Sequence, residues 1–210
     1  MNRIILVAMG DSLTAGYQSL TEEEWTGFTP YTIFLEHRLL KLNESQQKKK
    51  EFQIRNRGVL GELTSEMLTR FDRDALSVRP DFVIILGGSN DIGWGISPRE
   101  IFGNLSKMYE ATSKNGIEII ACSVPSILGC DSLIPPRLEL NEMIRTYCTE
   151  NGKSFADLFR TTADPRTNRL REEFSDDGLH LSTAGYEKIA ETIFDQALKG
   201  LLSKYYSSKE

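Results

Sequence analysis

The chain has 210 residues, of which 40% are hydrophobic and 26% charged, and its formal net charge is -5 at pH 7. This composition excludes a largely disordered chain, and the acidic balance argues against nucleic acid or an anionic membrane surface as the main partner. The length favours one domain, residues 1–210, with room for a sizeable core.

The first residues and the cysteines predict a cytoplasmic protein. The apolar run near the N-terminus is about six residues long, too short for a signal peptide, and no stretch approaches the roughly 18 apolar residues of a membrane helix. Cys122, Cys130 and Cys148 show no metal-ligand spacing and are expected to be free thiols of a reducing compartment. The basic run Lys48-Lys49-Lys50 is interpreted as a solvated loop.

A serine follows the first predicted strand. Ile4 to Ala8 is an apolar run typical of a strand buried in a parallel sheet, and the turn Gly10-Asp11-Ser12 comes directly after it. Ligands of open α/β sheets bind at the carboxyl edge, where this turn places the Ser12 hydroxyl. The alternative is that Ser12 is no more than the N-cap of the following helix.

The next stretch is predicted to be a loop followed by a helix. Ala15 to Pro30 shows no sustained hydrophobic period, and its aromatic residues are candidate pocket walls: Tyr17, Trp25 and Phe28. The apolar spacing from Tyr31 to Leu42 predicts a helix. His37 lies within this helix and is interpreted as a surface or packing residue.

Two further strands end in turns rich in glycine and short polar residues. Phe52 to Asn56 is followed by a turn that contains Gly61, and a helix is predicted from Thr64 to Leu76. Asp81 to Leu86 is the clearest buried strand, and Gly87-Gly88-Ser89-Asn90-Asp91 comes after it. Asn90 and Asp91 can be simple turn formers.

The alternation of helices and strands continues to the end of the chain. The predicted elements are a helix from Ser97-Pro98 to Asn115-Gly116, a strand at Ile117–Cys122, a loop at Ser123–Pro136, a helix at Arg137–Glu150, a weak strand at Ser154–Ala156 and a last amphipathic helix capped by Ser182 or Thr183. This order predicts an α/β protein whose parallel sheet has helices on both faces. Three strand ends then bring Ser12, Gly61 and Asn90 to one edge.

A serine hydroxyl needs an adjacent base to become a nucleophile, and that base is usually a histidine oriented by a third group. Apart from His37, the chain has one histidine, His180, in a polar segment before the last helix. Asp177 is three residues from His180, so that in a turn its carboxylate can reach the imidazole. The sequence therefore predicts Asp177 and His180 as the base system for Ser12.

Acyl transfer also needs hydrogen-bond donors aimed at the oxyanion of the tetrahedral intermediate. Three candidates come from the predicted strand ends: the backbone N–H groups of Ser12 and Gly61 and the side-chain amide of Asn90. Chemistry of this kind requires no metal ion and no cofactor.

Four segments together resemble the SGNH hydrolases of the GDSL esterase/lipase superfamily. They are Gly10-Asp11-Ser12-Leu13, Asn56 to Thr64, Gly87-Gly88-Ser89-Asn90-Asp91 and Asp177-Gly178-Leu179-His180. Each motif is weak alone, but four in this order, spread over nearly the whole chain, are specific. Glu62 stands where aspartate is frequent and Ser182 where proline is frequent, and neither departure touches the predicted chemistry.

The resemblance implies a flavodoxin-like three-layer α/β/α sandwich with a five-stranded parallel sheet. It also implies Ser12 as nucleophile, His180 as base, Asp177 as the partner of His180, and an oxyanion hole formed by Ser12, Gly61 and Asn90. The chain contains no Gly-x-Ser-x-Gly motif, which disfavours an ordinary α/β-hydrolase.

The predicted function is that of a serine carboxylester hydrolase acting on small or medium acyl esters. A thioesterase or a lysophospholipase would use the same catalytic set with a different pocket. A non-catalytic α/β binding module is the third hypothesis, and the complete set of five residues argues against it. Neither the acyl chain, the alcohol nor the oligomeric state follows from the sequence.

Overall fold

A computed structural model describes residues 3–19, 27–44 and 50–207. The strands are β1 (Arg3–Gly10), β2 (Tyr17–Gln18), β3 (Gly27–Phe28), β4 (Glu51–Gly58), β5 (Phe82–Leu86), β6 (Glu118–Cys122) and β7 (Ser154–Ala156). The helices are α1 (Ser12–Ala15), α2 (Tyr31–Glu44), α3 (Thr64–Asp74), α4 (Ser89–Gly93), α5 (Pro98–Lys114), α6 (Ile134–Glu150), α7 (Leu158–Thr162), α8 (Thr183–Ile193) and α9 (Lys199–Ser207).

A five-stranded parallel sheet forms the centre of the protein, with the strand order β4-β1-β5-β6-β7. Alternate side chains of β1 enter two different cores. Ile4, Leu6 and Ala8 belong to one core together with residues of α2 and α8, whereas Val7 and Met9 belong to the other with residues of α3, α5 and α6. A sheet buried on both faces needs such continuous apolar strands. The predicted α/β sandwich with a five-stranded parallel sheet is confirmed.

The three strands at one side of the sheet end at the same level. Gly10 at the end of β1 is in register with Gly58 of β4 and with Leu86 of β5. A Cβ atom at Gly10 would lie 2.2 Å from Thr14 Oγ1 and 2.3 Å from the Leu86 carbonyl oxygen, so only glycine fits. The turns that follow β1, β4 and β5 therefore begin side by side at the carboxyl edge.

Two predicted boundaries need correction. Residues 15–30 were predicted to be a loop, but Tyr17–Gln18 and Gly27–Phe28 pair as a short antiparallel hairpin, and two-residue strands leave no period in the sequence. Trp25 lies outside the described residues. The helix predicted from Arg137 begins at Ile134, so two prolines assigned to the preceding loop lie in its first turn, where a missing N–H group costs no helix hydrogen bond.

The prediction of a solvated loop at Lys48-Lys49-Lys50 is wrong for its last residue. Lys50 is buried, and its ammonium lies 5.8 Å from the centroid of the Tyr206 ring. The other two lysines lie outside the described residues.

None of the helices in the described part of the chain has the length and apolar character that crossing a membrane requires.

Candidate active site

Ser12 is the first residue of α1 and is 7% exposed. The alternative that Ser12 is merely an N-cap is wrong, because Asp11 occupies that position and its Oδ1 accepts a hydrogen bond of 2.9 Å from the Leu13 N–H group. The capping carboxylate thus fixes the turn that carries the serine, and the serine side chain keeps its hydroxyl for other partners.

Asp11 is a buried acidic side chain. Burial raises its pKa from the ordinary value of 3.8 to about 7, against the lowering effect of the Leu13 N–H group, and the charge of Asp91 adds to the rise. Its second carboxyl oxygen, Oδ2, is buried and has no hydrogen-bond partner among the described residues. The charged form of Asp11 is therefore disfavoured in the folded protein relative to the unfolded chain.

This burial gives a stability prediction for Asp11→Asn. Because the pKa of Asp11 is raised on folding, the carboxyl group stabilises the fold below its unfolded pKa and loses that contribution as pH rises towards 7. Asparagine keeps the capping acceptor but does not titrate. From pH 4 to pH 8, the free energy of unfolding of the wild type should fall relative to that of Asp11→Asn, by about 4 kcal/mol at most. Urea unfolding across this range measures the difference, and a constant difference would contradict the prediction.

Gly61 lies in the turn between β4 and α3. Its φ is 72°, and nothing lies within 4 Å of a Cβ placed there, so the positive φ rather than lack of space requires glycine. The next residue, Glu62, is buried and forms a two-bond ion pair with Arg70 of α3. Arg70 Nη2 also donates to the carbonyl oxygen of Arg57 at 2.8 Å and of Gly10 at 3.3 Å. This ion pair therefore ties the Gly61 turn to the end of β1.

Asn90 lies in the first turn of α4, where the sequence had suggested only a turn. Its Nδ2 donates to the carbonyl oxygen of Glu62 at 3.0 Å. A side-chain amide carries two N–H groups, so one hydrogen bond holds Asn90 against the Gly61 turn and the other N–H group remains for a ligand. This hydrogen bond therefore holds Asn90 against Glu62, the residue that follows Gly61.

Asp91 makes a second connection between the segments after β4 and β5. Its carboxylate accepts from the Thr64 backbone N–H group at 3.1 Å and from the Thr64 hydroxyl at 2.5 Å, so it serves as a remote cap of α3. Burial raises the pKa of Asp91, although the hydrogen bonds from Thr64 oppose the rise. Asp91 is therefore more than the turn former that its sequence context allowed.

His180 and Asp177 lie in the segment before α8. Asp177 Oδ2 is 2.7 Å from His180 Nδ1, and Asp177 Oδ1 accepts from the backbone N–H groups of Leu179 at 2.8 Å and of His180 at 2.7 Å. Burial acts to raise the pKa of Asp177, but the hydrogen bonds from the His180 ring and from these N–H groups outweigh it and hold the pKa below its usual value. Asp177 is therefore an ionised carboxylate in contact with Nδ1 of the His180 ring.

The segment that carries this pair follows α7, beyond the edge strand β7. It rests on the loop after β6: the Leu128 N–H group donates to the Gly178 carbonyl oxygen at 2.8 Å, and the Leu170 N–H group donates to the Ile127 carbonyl oxygen at 3.1 Å. Asp177 and His180 thus come from a loop, whereas Ser12, Gly61 and Asn90 follow strand ends.

Tyr17 of the hairpin packs against the histidine. The ring centroids of Tyr17 and His180 are 4.6 Å apart with the ring planes at 71°, an edge-to-face contact. The sequence predicts Tyr17 as a candidate pocket wall, but it does not predict the contact between Tyr17 and His180. The other histidine, His37, is exposed on α2, as its interpretation as a surface residue requires.

Arg137 is a buried cation that the sequence reasoning missed. It is 1% exposed, and its Nη2 donates to the Ser89 hydroxyl at 3.1 Å in the turn that carries Asn90. Burial lowers the pKa of Arg137 to about 10, so it remains charged at neutral pH. Arg137 is the first residue of a helix predicted from the sequence, and this pattern does not indicate that its side chain is buried.

The cysteines and other metal-binding side chains form no metal centre in the part of the chain that the structure describes. Cys122, Cys130 and Cys148 are free thiols. Within residues 3–19, 27–44 and 50–207, histidine, cysteine and acidic side chains form no group of three or more that could hold a metal ion.

Known proteins share this sequence pattern and this fold. A model of the GDSL-like lipase/acylhydrolase family matches residues 8–188. An arylesterase of Vibrio mimicus is 26% identical over 207 residues, covering 93% of this chain and 89% of that protein. The chain belongs to the GDSL-like lipase/acylhydrolase family, which confirms the resemblance. It is accordingly a carboxylic ester hydrolase.

Solved structures of esterases and acylhydrolases have the same fold. A variant of an acetyl xylan esterase from Geobacillus stearothermophilus superposes with a TM-score of 0.76 at 18% identity, covering 92% of this chain and 94% of that chain. A lipase/acylhydrolase from Enterococcus faecalis has a TM-score of 0.71 at 24% identity, covering 92% and 93% of the two chains. These similarities support the fold assignment.

Proposed function

We propose that this protein hydrolyses small or medium acyl esters through an acyl-enzyme on Ser12. His180 is the base, Asp177 orients it, and the oxyanion hole consists of the N–H groups of Ser12 and Gly61 and the side-chain amide of Asn90. The observation that carries the proposal is the 2.7 Å contact between Asp177 Oδ2 and His180 Nδ1, which leaves Nε2 as the nitrogen that accepts a proton. The catalytic unit is one domain over residues 1–210.

The first half of the reaction forms the acyl-enzyme. As Ser12 Oγ attacks the carbonyl carbon, its proton passes to His180 Nε2, and the π electrons of the C=O bond move to the oxygen. The three N–H donors stabilise that oxyanion, while the Asp177 carboxylate stabilises the imidazolium. When the C–O bond to the alcohol breaks, the imidazolium gives its proton to the leaving oxygen.

The second half releases the acid. A water molecule gives a proton to His180 Nε2 and attacks the acyl carbon, and the intermediate collapses by breaking the bond to Ser12 Oγ, which takes the proton back. The same groups serve a thioester, so the choice between ester and thioester depends on the pocket. The name of the Vibrio mimicus relative, an arylesterase, supports the ester.

Covalent labelling tests the nucleophile. An organophosphate or a sulfonyl fluoride should add one label per chain, on Ser12, because a hydroxyl group with a base beside it attacks such reagents readily. Intact-mass spectrometry counts the labels, and peptide mapping locates them. Ser12→Ala should remain unlabelled. A label on another residue, or hydrolysis of esters without any labelling, would remove Ser12 from this role.

The proposed location is the cytoplasm, and the support for it is the absence of any disulfide among the three cysteines of the chain.

The substrate class is tested by hydrolysis of p-nitrophenyl esters and acyl thioesters of increasing chain length. The proposal predicts a preference for short or medium acyl esters over thioesters of the same acyl group.

A further inference from the structure

We propose that Tyr17 and Phe28 form a subsite that binds an aromatic ring in the alcohol part of the ester. This inference rests on the proposed function, because it takes His180 to be the group that protonates the leaving alcohol. It adds two points to the proposed function: the protein selects its substrates by the alcohol part of the ester, and it prefers an aromatic alcohol.

The two rings continue outward from the catalytic histidine. Tyr17 and Phe28 are directly opposite each other in the hairpin, so their side chains lie on the same face. Their ring centroids are 6.0 Å apart at an interplanar angle of 72°, and the Tyr17 ring also contacts His180. Phe28 is 54% exposed. An apolar ring surface therefore leads from the imidazole to solvent.

The hairpin is attached to the helix that follows the histidine. The Tyr186 hydroxyl donates to the Tyr17 carbonyl oxygen at 2.6 Å, and Gln18 Nε2 donates to the Thr183 hydroxyl at 3.0 Å. The Thr29 hydroxyl donates to Gln18 Oε1 at 2.8 Å. Both Tyr186 and Thr183 belong to α8. The ring pair is thus held in place relative to His180 before any substrate arrives, which lowers the entropic cost of binding.

The direction of the reaction decides which part of the ester meets these rings. The carbonyl oxygen must point to Ser12, Gly61 and Asn90, on the turns after β1, β4 and β5. The leaving oxygen must point to His180, because the imidazolium gives it a proton. A group attached to that oxygen therefore lies beside His180, where Tyr17 and Phe28 are. Aromatic rings attract one another in edge-to-face and offset contacts, so an aromatic alcohol fits this surface better than an alkyl alcohol does.

The test compares two acetates whose leaving groups are both primary alcohols. We expect Phe28→Ala to lower the ratio of kcat/KM for benzyl acetate to that for butyl acetate by about 3- to 10-fold relative to the wild type, the worth of one aromatic contact. Phe28→Trp should keep the wild-type ratio, because it restores an aromatic face. Leu40→Ala removes an equally exposed apolar side chain from α2 and should leave the ratio within about twofold of the wild-type value.

An unchanged ratio in Phe28→Ala would overturn the proposal. If kcat/KM falls equally for both acetates, Phe28 only supports the hairpin, and if kcat/KM is unchanged for both, Phe28 does not contact the substrate. Failure of the proposed function looks different. In that case Ser12→Ala would still hydrolyse both acetates, whatever the ratio in the Phe28 variants.

Discussion

Replacement of His180 by alanine is expected to lower kcat for a short acyl ester by about 10⁴-fold, with the fold intact. Without the imidazole, the Ser12 proton has no acceptor and the leaving alcohol has no proton donor. The ring contacts Tyr17 and the Asp177 carboxylate at its edges, so the sheet does not depend on it. Single-turnover kinetics and thermal unfolding of the same preparation separate the loss of chemistry from a loss of folded protein.

His37→Ala is the matched control for this variant. His37 is exposed on α2, and its replacement should leave kcat within about twofold of the wild-type value. The assignment of the base is wrong if turnover is lost in His37→Ala and persists in His180→Ala.

Asn90→Ala is expected to lower kcat by roughly 10² to 10³, as loss of one oxyanion donor does in acyl transfer. KM should change little, because the donor is needed more in the transition state than in the ground state. The substitution also removes the hydrogen bond to the Glu62 carbonyl oxygen, which should cost about 1 kcal/mol of stability. Kinetics at a temperature well below the unfolding transition, together with the melting temperature itself, distinguish the two effects.

Asn104→Ala provides the comparison for a purely structural amide. Asn104 lies in α5, and its Nδ2 donates to the Thr64 hydroxyl at the start of α3 at 3.2 Å, without a proposed contact to the oxyanion. It should show a similar loss of stability and a nearly unchanged kcat. If Asn90→Ala behaves like Asn104→Ala, Asn90 is not an oxyanion donor, and the hole is reduced to the N–H groups of Ser12 and Gly61.

The parts of the fold that were predictable are those coded by local patterns. β5 is a run of apolar residues that is buried throughout, and the predicted strand at Asp81–Leu86 matches it to within one residue. Pro98 opens α5 after Ser97, whose hydroxyl accepts from the Glu100 N–H group at 3.2 Å, as the sequence pattern indicated. Asp177 is close enough to His180 in sequence that their contact could be inferred from spacing alone.

The parts that were missed depend on contacts between residues far apart in the chain. Asp91 caps α3 through Thr64, 27 residues away, and no local pattern indicates such a bond. Tyr17 meets His180 only because the hairpin folds back on α8. Glu62 departs from the family motif at a position outside the predicted chemistry, and no local pattern indicates that its pairing with Arg70 holds the turn that carries Gly61.

The position of Asp177 and His180 in a loop gives an expectation for how this protein loses activity. Strand pairing fixes the spacing of the turns after β1, β4 and β5, whereas Asp177 and His180 depend on a segment that rests on the loop after β6. Folded proteins open locally at free energies well below that of global unfolding, and loops open before core strands. Heat or denaturant is therefore expected to open the segment that carries Asp177 and His180 while the sheet is intact, and the proposed catalytic roles then predict that turnover is lost before secondary structure.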